Sequence, residues 1–334
     1  MALSVQLYKH RRVTKVATVN SVLGSLDTKD LGFTLSHEHV MVGSAGIQYV
    51  YPEFIQRDRV IQDGIRDLKE AYGEGVRTIV DVTTMDLGRD IRLLEEVSRG
   101  SGVQIICATG TWRDIPRVFW DVNPDRIAAL YIREIEEGIE GTGIKAGIIK
   151  VANDKGGVSP QGEIILRAAA RAQRATGVPI STHTWAPDRV GEEQVRIFED
   201  EGVDLGRVYV GHSNDTTNTE YLIGLLKKGV WIGLDRFPGG RASDTDTPDW
   251  EDRVRTAVSL MDAGFVHRIM LGHDWAVPIC RPSPEVREAR RRANPDGYLF
   301  VTRKVLPRLL ELGMTQETID QIMVENPKRF FEGG

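Results

Sequence analysis

Eight short apolar runs, separated by stretches of helical spacing, leave few folds open to this chain. The runs are LGFTLSHEH (31–39), VRTIVDVTT (76–84), VQIICATG (103–110) and KAGIIKV (145–151), then VPISTHT (178–184), RVYVGHS (207–213), VWIGLD (230–235) and HRIMLGHD (267–274). Each is rich in Val and Ile, bounded by Gly, Pro or Asp, and apolar without strict alternation. Continuous runs of this kind predict strands buried on both faces, and hence a parallel sheet. Between them, Ile61, Ile65, Leu68 and Tyr72 step along one helical face within 58–73. Asn123-Pro124 reads as a cap followed by Pro in the first turn, with Ile127, Tyr131 and Ile135 on one face behind it. Helical spacing also fits 88–99, 161–175, 191–201, 217–228, 249–263 and 299–312.

Eight β-then-α units make either a closed (β/α)8 barrel or an open doubly wound sheet. The chain has no Gly-x-Gly-x-x-Gly after the first run and no P-loop, so the nucleotide-binding sheets lose their support and the TIM barrel is favoured. A length of 334 residues suits one barrel, with residues 1–30 as an N-terminal hairpin or extension and 31–334 as the barrel. A hydrophobic content of 41% supplies a large core. The net charge of −5 argues against a nucleic-acid partner, and no apolar run is long enough to span a membrane. MALSVQLYKHRRVTKVATV lacks an apolar signal core, so a cytoplasmic location is expected. Cys107 and Cys280 form no disulfide framework; Cys107 reads as a core thiol and Cys280 is unassigned.

Active sites of such barrels lie where the strands end. His37 and His39 end the first run, Lys150 the fourth, His183 the fifth, His212 the sixth and Asp274 the eighth. Residues i and i+2 of a strand share a face, so His37 and His39 both point to the axis while Glu38 points away. Four imidazoles and a carboxylate on one rim match zinc, or manganese, cobalt or iron. A lysine ammonium would repel a cation. As a carbamate, Lys150 becomes an anion able to bridge two ions about 3.5–4 Å apart, the spacing of two-metal hydrolytic sites.

HEH (37–39), GIIKV, STHT, GHSND and GHDW resemble the phosphotriesterase family of the amidohydrolase superfamily, and the likeness extends from GFTLSHEH to NPKRFF. The resemblance implies two divalent metal ions. His37, His39 and Asp274 would hold the buried one and His183 and His212 the exposed one, with a carbamate on Lys150 and a hydroxide bridging both. Asp274 would accept the proton. Phosphotriesterases proper carry a His after the strand-7 Asp, whereas here Asp235 is followed by Arg236, as in the phosphotriesterase-like lactonases. Asp215 and Asp235 remain candidate relay carboxylates. Trp112 instead matches the phosphotriesterases. Trp112, Arg236 and Phe237 are the candidate substrate contacts, and GGRASDTDTPDW (239–250) a substrate loop.

The expected activity is hydrolysis of a small-molecule ester, covering both lactones (acyl-homoserine lactones among them) and paraoxon-like triesters. Cyclic-amidase or deaminase chemistry, or a non-catalytic metal barrel, are the alternatives. A homodimer is implied, to which YVYPEF (49–54) is a candidate contact, with core or pocket roles equally open. VREARRRAN (286–294) reads as a solvated helix.

Overall fold

The computed structural model describes residues 17–239, 247–277 and 284–333. His10, Cys280 and most of the GGRASDTDTPDW segment lie outside the described residues. Strands β1 (Thr18–Ser21) and β2 (Gly24–Asp27) pair antiparallel as a hairpin. Eight strands follow: β3 (Thr34–Glu38), β4 (Thr78–Asp81), β5 (Gln104–Thr111), β6 (Ile148–Ala152), β7 (Ile180–His183), β8 (Val208–Val210), β9 (Trp231–Leu234) and β10 (Ile269–Leu271). They pair parallel in chain order. The ends of the sheet meet where the backbone N–H of His39 donates to the Trp275 carbonyl (2.8 Å) and that of Asp274 to the His37 carbonyl (3.1 Å). The result is a (β/α)8 TIM barrel.

Two apolar layers account for the continuous runs. Ile79, Ile105, Ile149, Ile180 and Ile232 pack in the layer shared with the helices, while their neighbours Val80, Ile106, Ile148 and Trp231 belong to an inner layer. Each such side chain, fully buried, contributes roughly 1.5–3 kcal/mol. The surrounding helices are α1 (Ile47–Val50), α2 (Arg57–Gly73), α3 (Ile91–Ser101), α4 (Pro124–Glu136), α5 (Pro160–Thr176), α6 (Val190–Asp200), α7 (Thr219–Lys227) and α8 (Trp250–Leu260). After β10 come α9 (Pro284–Ala293), α10 (Leu306–Glu311), α11 (Gln316–Asp320) and α12 (Asn326–Glu332). Phe330 and Phe331 of α12 join the inner layer. The caps follow sequence: Asn123 accepts from Asp125 N, Ser159 accepts from Gly162 N, and Gly177 (φ 74°) ends α5 in the left-handed conformation.

Four local expectations change. Tyr72, expected on the buried face of α2, sits in its last turn past the edge of the core and is exposed, with the Arg77 guanidinium 4.1 Å from its ring. The helix expected over 249–263 stops at Leu260 and passes into a π turn, Met261–Phe265, where Gly264 has φ 91°. The one expected over 299–312 is divided among a 3-10 turn, a π turn and α10. Tyr49, Val50, Tyr51 and Phe54 are all exposed, which removes the core role for YVYPEF. In α9, Arg291 and Arg292 are exposed and Arg290 lies 4.4 Å from the Trp275 ring.

Candidate metal centre

His37 and His39 alternate with Glu38 along and just past β3, as strand geometry requires. Their rings face each other edge-on, 5.8 Å apart. His183 is the last residue of β7. His212 follows β8 by two residues and Asp274 follows β10 by three. Both adopt left-handed backbone, φ 57° and 53°, which costs a non-glycine residue and persists only where its surroundings enforce it. Lys150 lies mid-strand in β6 rather than at its end, and reaches the rim through its length. It is placed by β5: Gly110 (φ 115°) pairs with Lys150, and a Cβ there would collide with the Lys150 carbonyl and lie 2.8 Å from its nitrogen.

These six side chains converge. Ligand atoms of His37, His212 and Asp274 lie within 4.8 Å of one another. Lys150 Nζ is 3.3 Å from His37 Nε2, His212 Nε2 is 2.9 Å from His183 Nδ1, and Asp274 Oδ1 is 3.1 Å from His39 Nε2. One carboxylate organises the inner pair. Asp235, fully buried just after β9, accepts from the His212 backbone N–H (2.7 Å), from His212 Nδ1 (2.9 Å) and from the Tyr209 hydroxyl (2.8 Å), and faces His37 Nδ1 at 2.9 Å. Tyr209 can reach it because Gly233 has no side chain to block the ring.

With their Nδ1 atoms against a carboxylate, His37 and His212 carry the proton outward and turn bare Nε2 lone pairs inward. Burial, then the Lys150 charge, lowers the His37 pKa; burial, then the Arg236 charge, holds His183 and His212 well below the usual imidazole value. Burial also pulls the Lys150 ammonium down to about 7, against the attraction of Asp235 and Asp274. Burial opposes ionisation of Asp274, yet His212, His39 and Arg236 keep its carboxyl well below the ordinary range. Imidazole nitrogens 3.1 Å (His39), 3.6 Å (His37) and 3.9 Å (His212) from the Asp274 carboxylate form a set that a divalent cation relieves. The residues fit divalent-cation binding, and an amine whose pKa burial lowers to about 7, so that much of it is uncharged at neutral pH, fits carbamate chemistry.

Arg236 stands behind Asp274. Its Nε donates to Asp274 Oδ2 (3.2 Å) and its Nη1 to Asp215 Oδ2 (2.5 Å). Asp215 is also held by Arg253 Nη1 (2.8 Å) and touches Asp274 only through Arg236. Burial alone would lower the Arg236 pKa, but Asp215, Asp274 and Asp235 together raise it, so the guanidinium stays charged. Trp112 is at the mouth, half-buried, its indole Nε1 3.4 Å from His183 Nδ1. Phe237, expected beside it, is 1% exposed and packs within the outer apolar layer.

Sequence reasoning left four contributors without a role. Glu38 and His273 form a buried pair at 2.6 Å, with Glu38 also accepting from the backbone of His273 (2.8 Å) and Trp275 (3.1 Å). Arg253, fully buried, anchors Asp215. Asp154, in the Gly-rich turn after β6, lies 3.6 Å from His183 Nε2. The charge of Arg253 on an otherwise apolar helix face was the one visible signal.

The sequence profile of the Phosphotriesterase family matches residues 17–331. An aryldialkylphosphatase of Saccharolobus solfataricus is 38% identical over 309 residues, covering 92% of this chain and 97% of its own. A phosphotriesterase homology protein of Mycobacterium tuberculosis is 39% identical over 325 residues, 94% of this chain and 97% of its own. The solved structure of the phosphotriesterase from Mycobacterium tuberculosis superposes with a TM-score of 0.87 at 38% identity, covering 94% of this chain and 98% of that one.

Proposed function

This chain belongs to the phosphotriesterase family of metal-dependent hydrolases, and from that premise we propose that it opens lactones, with organophosphate triesters as slower substrates. Two divalent ions, zinc foremost and cobalt, manganese or iron as substitutes, would supply the nucleophilic water and polarise the ester oxygen. His37, His39 and Asp274 would hold one ion, His183 and His212 the other, and Lys150, as a carbamate, both. Asp274 takes the proton of the attacking water.

The observation that carries the lactone reading is Arg236. A guanidinium bound to Asp274 on one side and Asp215 on the other cannot accept a proton, so a proton on Asp274 has no outward route through it. It stays where an alkoxide leaving group can take it back. Ring opening of a lactone needs that return; expulsion of a nitrophenolate from an aryl phosphate does not. Trp112 offers an apolar wall at the mouth for an acyl chain.

The test compares kcat/KM for lactones of varied ring size and tail length with that for paraoxon-like triesters on the zinc-loaded protein. Activity on both is expected, with lactones ahead. A triester preference of tenfold or more overturns the ordering, and preferred cleavage of amides overturns the ester reading. The exposed Tyr49, Val50, Tyr51 and Phe54 favour a homodimer through this edge. Sedimentation as a monomer at micromolar concentration would refute it.

A further inference from the structure

Four imidazoles converge on the candidate centre, and a metal-ligating imidazole ordinarily donates its outer N–H to a fixed acceptor. Three have that acceptor inside the barrel. His212 presents Nδ1 to Asp235 and His39 presents Nδ1 to Thr83 Oγ1, each at 2.9 Å, and His37 Nδ1 faces Asp235 Oδ2 at 2.9 Å, close enough for the ion pair but not aligned as a hydrogen bond. His183 is reversed: Nδ1 is the inward atom, 2.9 Å from His212 Nε2, and Nε2 is buried without a hydrogen-bond partner. The group facing that nitrogen is Asp154, whose Oδ2 is 3.6 Å away.

Asp154 is not a free surface acid. Its backbone carbonyl accepts from Gly157 N (3.1 Å), its Oδ1 from Lys155 N (2.9 Å), and its Oδ2 is ion-paired with Arg113. The Arg113 guanidinium in turn lies 4.5 Å from the ring of Trp112, the aromatic wall of the mouth. The carboxylate is thus held beside His183 by its own turn and by the loop after β5.

Building on the binuclear reading above, we propose that Asp154 is a positioning residue for the outer ion: its Oδ2 takes the Nε2–H of His183 and so fixes Nδ1 as the inward lone pair. An approach of about 0.6 Å brings the two atoms to hydrogen-bond distance. Arg113 secures the carboxylate and touches the imidazole only through its charge, the last of the causes that lower the His183 pKa, so the metal site and the substrate-facing Trp112 loop share one oxygen atom.

The test is metal binding rather than turnover. Metal-stripped wild type, Asp154→Asn and Arg113→Gln are titrated with zinc against a chromophoric chelator, and with cobalt to follow the visible spectrum. Two binding steps are expected for wild type. Asp154→Asn should weaken one of them about 10- to 100-fold and leave the other in place, with a matching loss of one component of the cobalt spectrum. Arg113→Gln should shift that step much less. Unchanged binding in Asp154→Asn, or equal losses in both variants, overturns the assignment and leaves only a structural ion pair. A wild-type chain that takes up fewer than two equivalents refutes the binuclear reading instead, and the role of Asp154 with it.

Discussion

Glu38 offers the sharpest test of how this rim is held. Its carboxylate is fully buried and accepts three hydrogen bonds, from His273 N, His273 Nδ1 and Trp275 N, which flank the left-handed Asp274 on both sides. His273 Nε2 accepts from Val301 N (2.9 Å), so the imidazole proton is on Nδ1 and points at Glu38. Glu38→Ala strands all three donors in a site closed to water. Each unsatisfied donor costs about 1–3 kcal/mol. Relief of the desolvation that raises the Glu38 pKa offsets part of that sum. With that offset, the three stranded donors should cost about 3–5 kcal/mol, the lower part of their summed range. At about 2.1 cal/mol/K of unfolding entropy per residue, 334 residues give roughly 1.4 °C per kcal/mol, so Tm of the metal-free protein should fall by about 4–7 °C.

The second consequence is local. Without Glu38 the residues on either side of Asp274 lose their shared anchor and the His37 carbonyl alone holds its amide, so metal affinity should drop about 10- to 100-fold. Scanning calorimetry on the metal-free protein gives the first number and chelator competition the second. Glu38→Gln, which keeps one acceptor oxygen, should lie between wild type and Ala. A Glu38→Ala variant that melts within about 2 °C of wild type and binds zinc equally well would refute the argument that this carboxylate shapes the turn.

Lys150→Ala should abolish most activity, and a short carboxylic acid added with metal should restore part of it; full activity without rescue rules Lys150 out as a bridging group. The pKa shifts also fix a pH dependence for the metal-free fold. Lys150 is lowered to about 7 from 10.5, so between those values the unfolded chain holds a proton that the folded one has lost, and this residue's contribution to stability rises with pH. Below 6.5 the lowered His37, His183 and His212 act with the same sign, because only the unfolded imidazoles gain protons. Urea midpoints from pH 6 to 10 should climb in wild type and climb less in Lys150→Met; parallel curves would refute the shift. Gly110→Ala should lose metal binding out of proportion to its loss of stability, since its Cβ strikes the backbone that carries Lys150; normal zinc uptake would contradict the placement.

The sequence exposes what depends on short range. A strand buried on both faces must be a continuous apolar run, so eight runs show eight strands, and polar residues at their ends stand out against Val and Ile. His37, His39, His183, His212 and Asp274 were legible for that reason. The partners were not, because they join elements far apart in the chain. Glu38 and His273 are separated by 235 positions, and Arg253 reaches Asp215 across 38. Asp154 sits in a Gly-rich turn where an Asp is ordinary turn chemistry. Phe237 carries no periodicity that would tell an outer-layer side chain from a pocket wall.

That division has a physical consequence for how the centre is built. Asp235 follows β9, yet it orients His37 from β3 and His212 from the segment after β8. Its neighbour on the sheet, β10, leads into Asp274, whose backbone is fixed by the His37 carbonyl and flanked by donors to Glu38, both from β3. The two ligand groups therefore meet only if the first and last barrel strands close on each other. Closure brings bare imidazoles and a carboxylate into one buried cluster, and that crowding opposes closure unless a cation is present. Metal binding should therefore stabilise the β3–β10 seam more than any other part of the barrel. Hydrogen exchange on the metal-free and zinc-loaded protein would show it as protection of the His39 and Asp274 amides, while amides of β5 and β6 remain nearly unchanged.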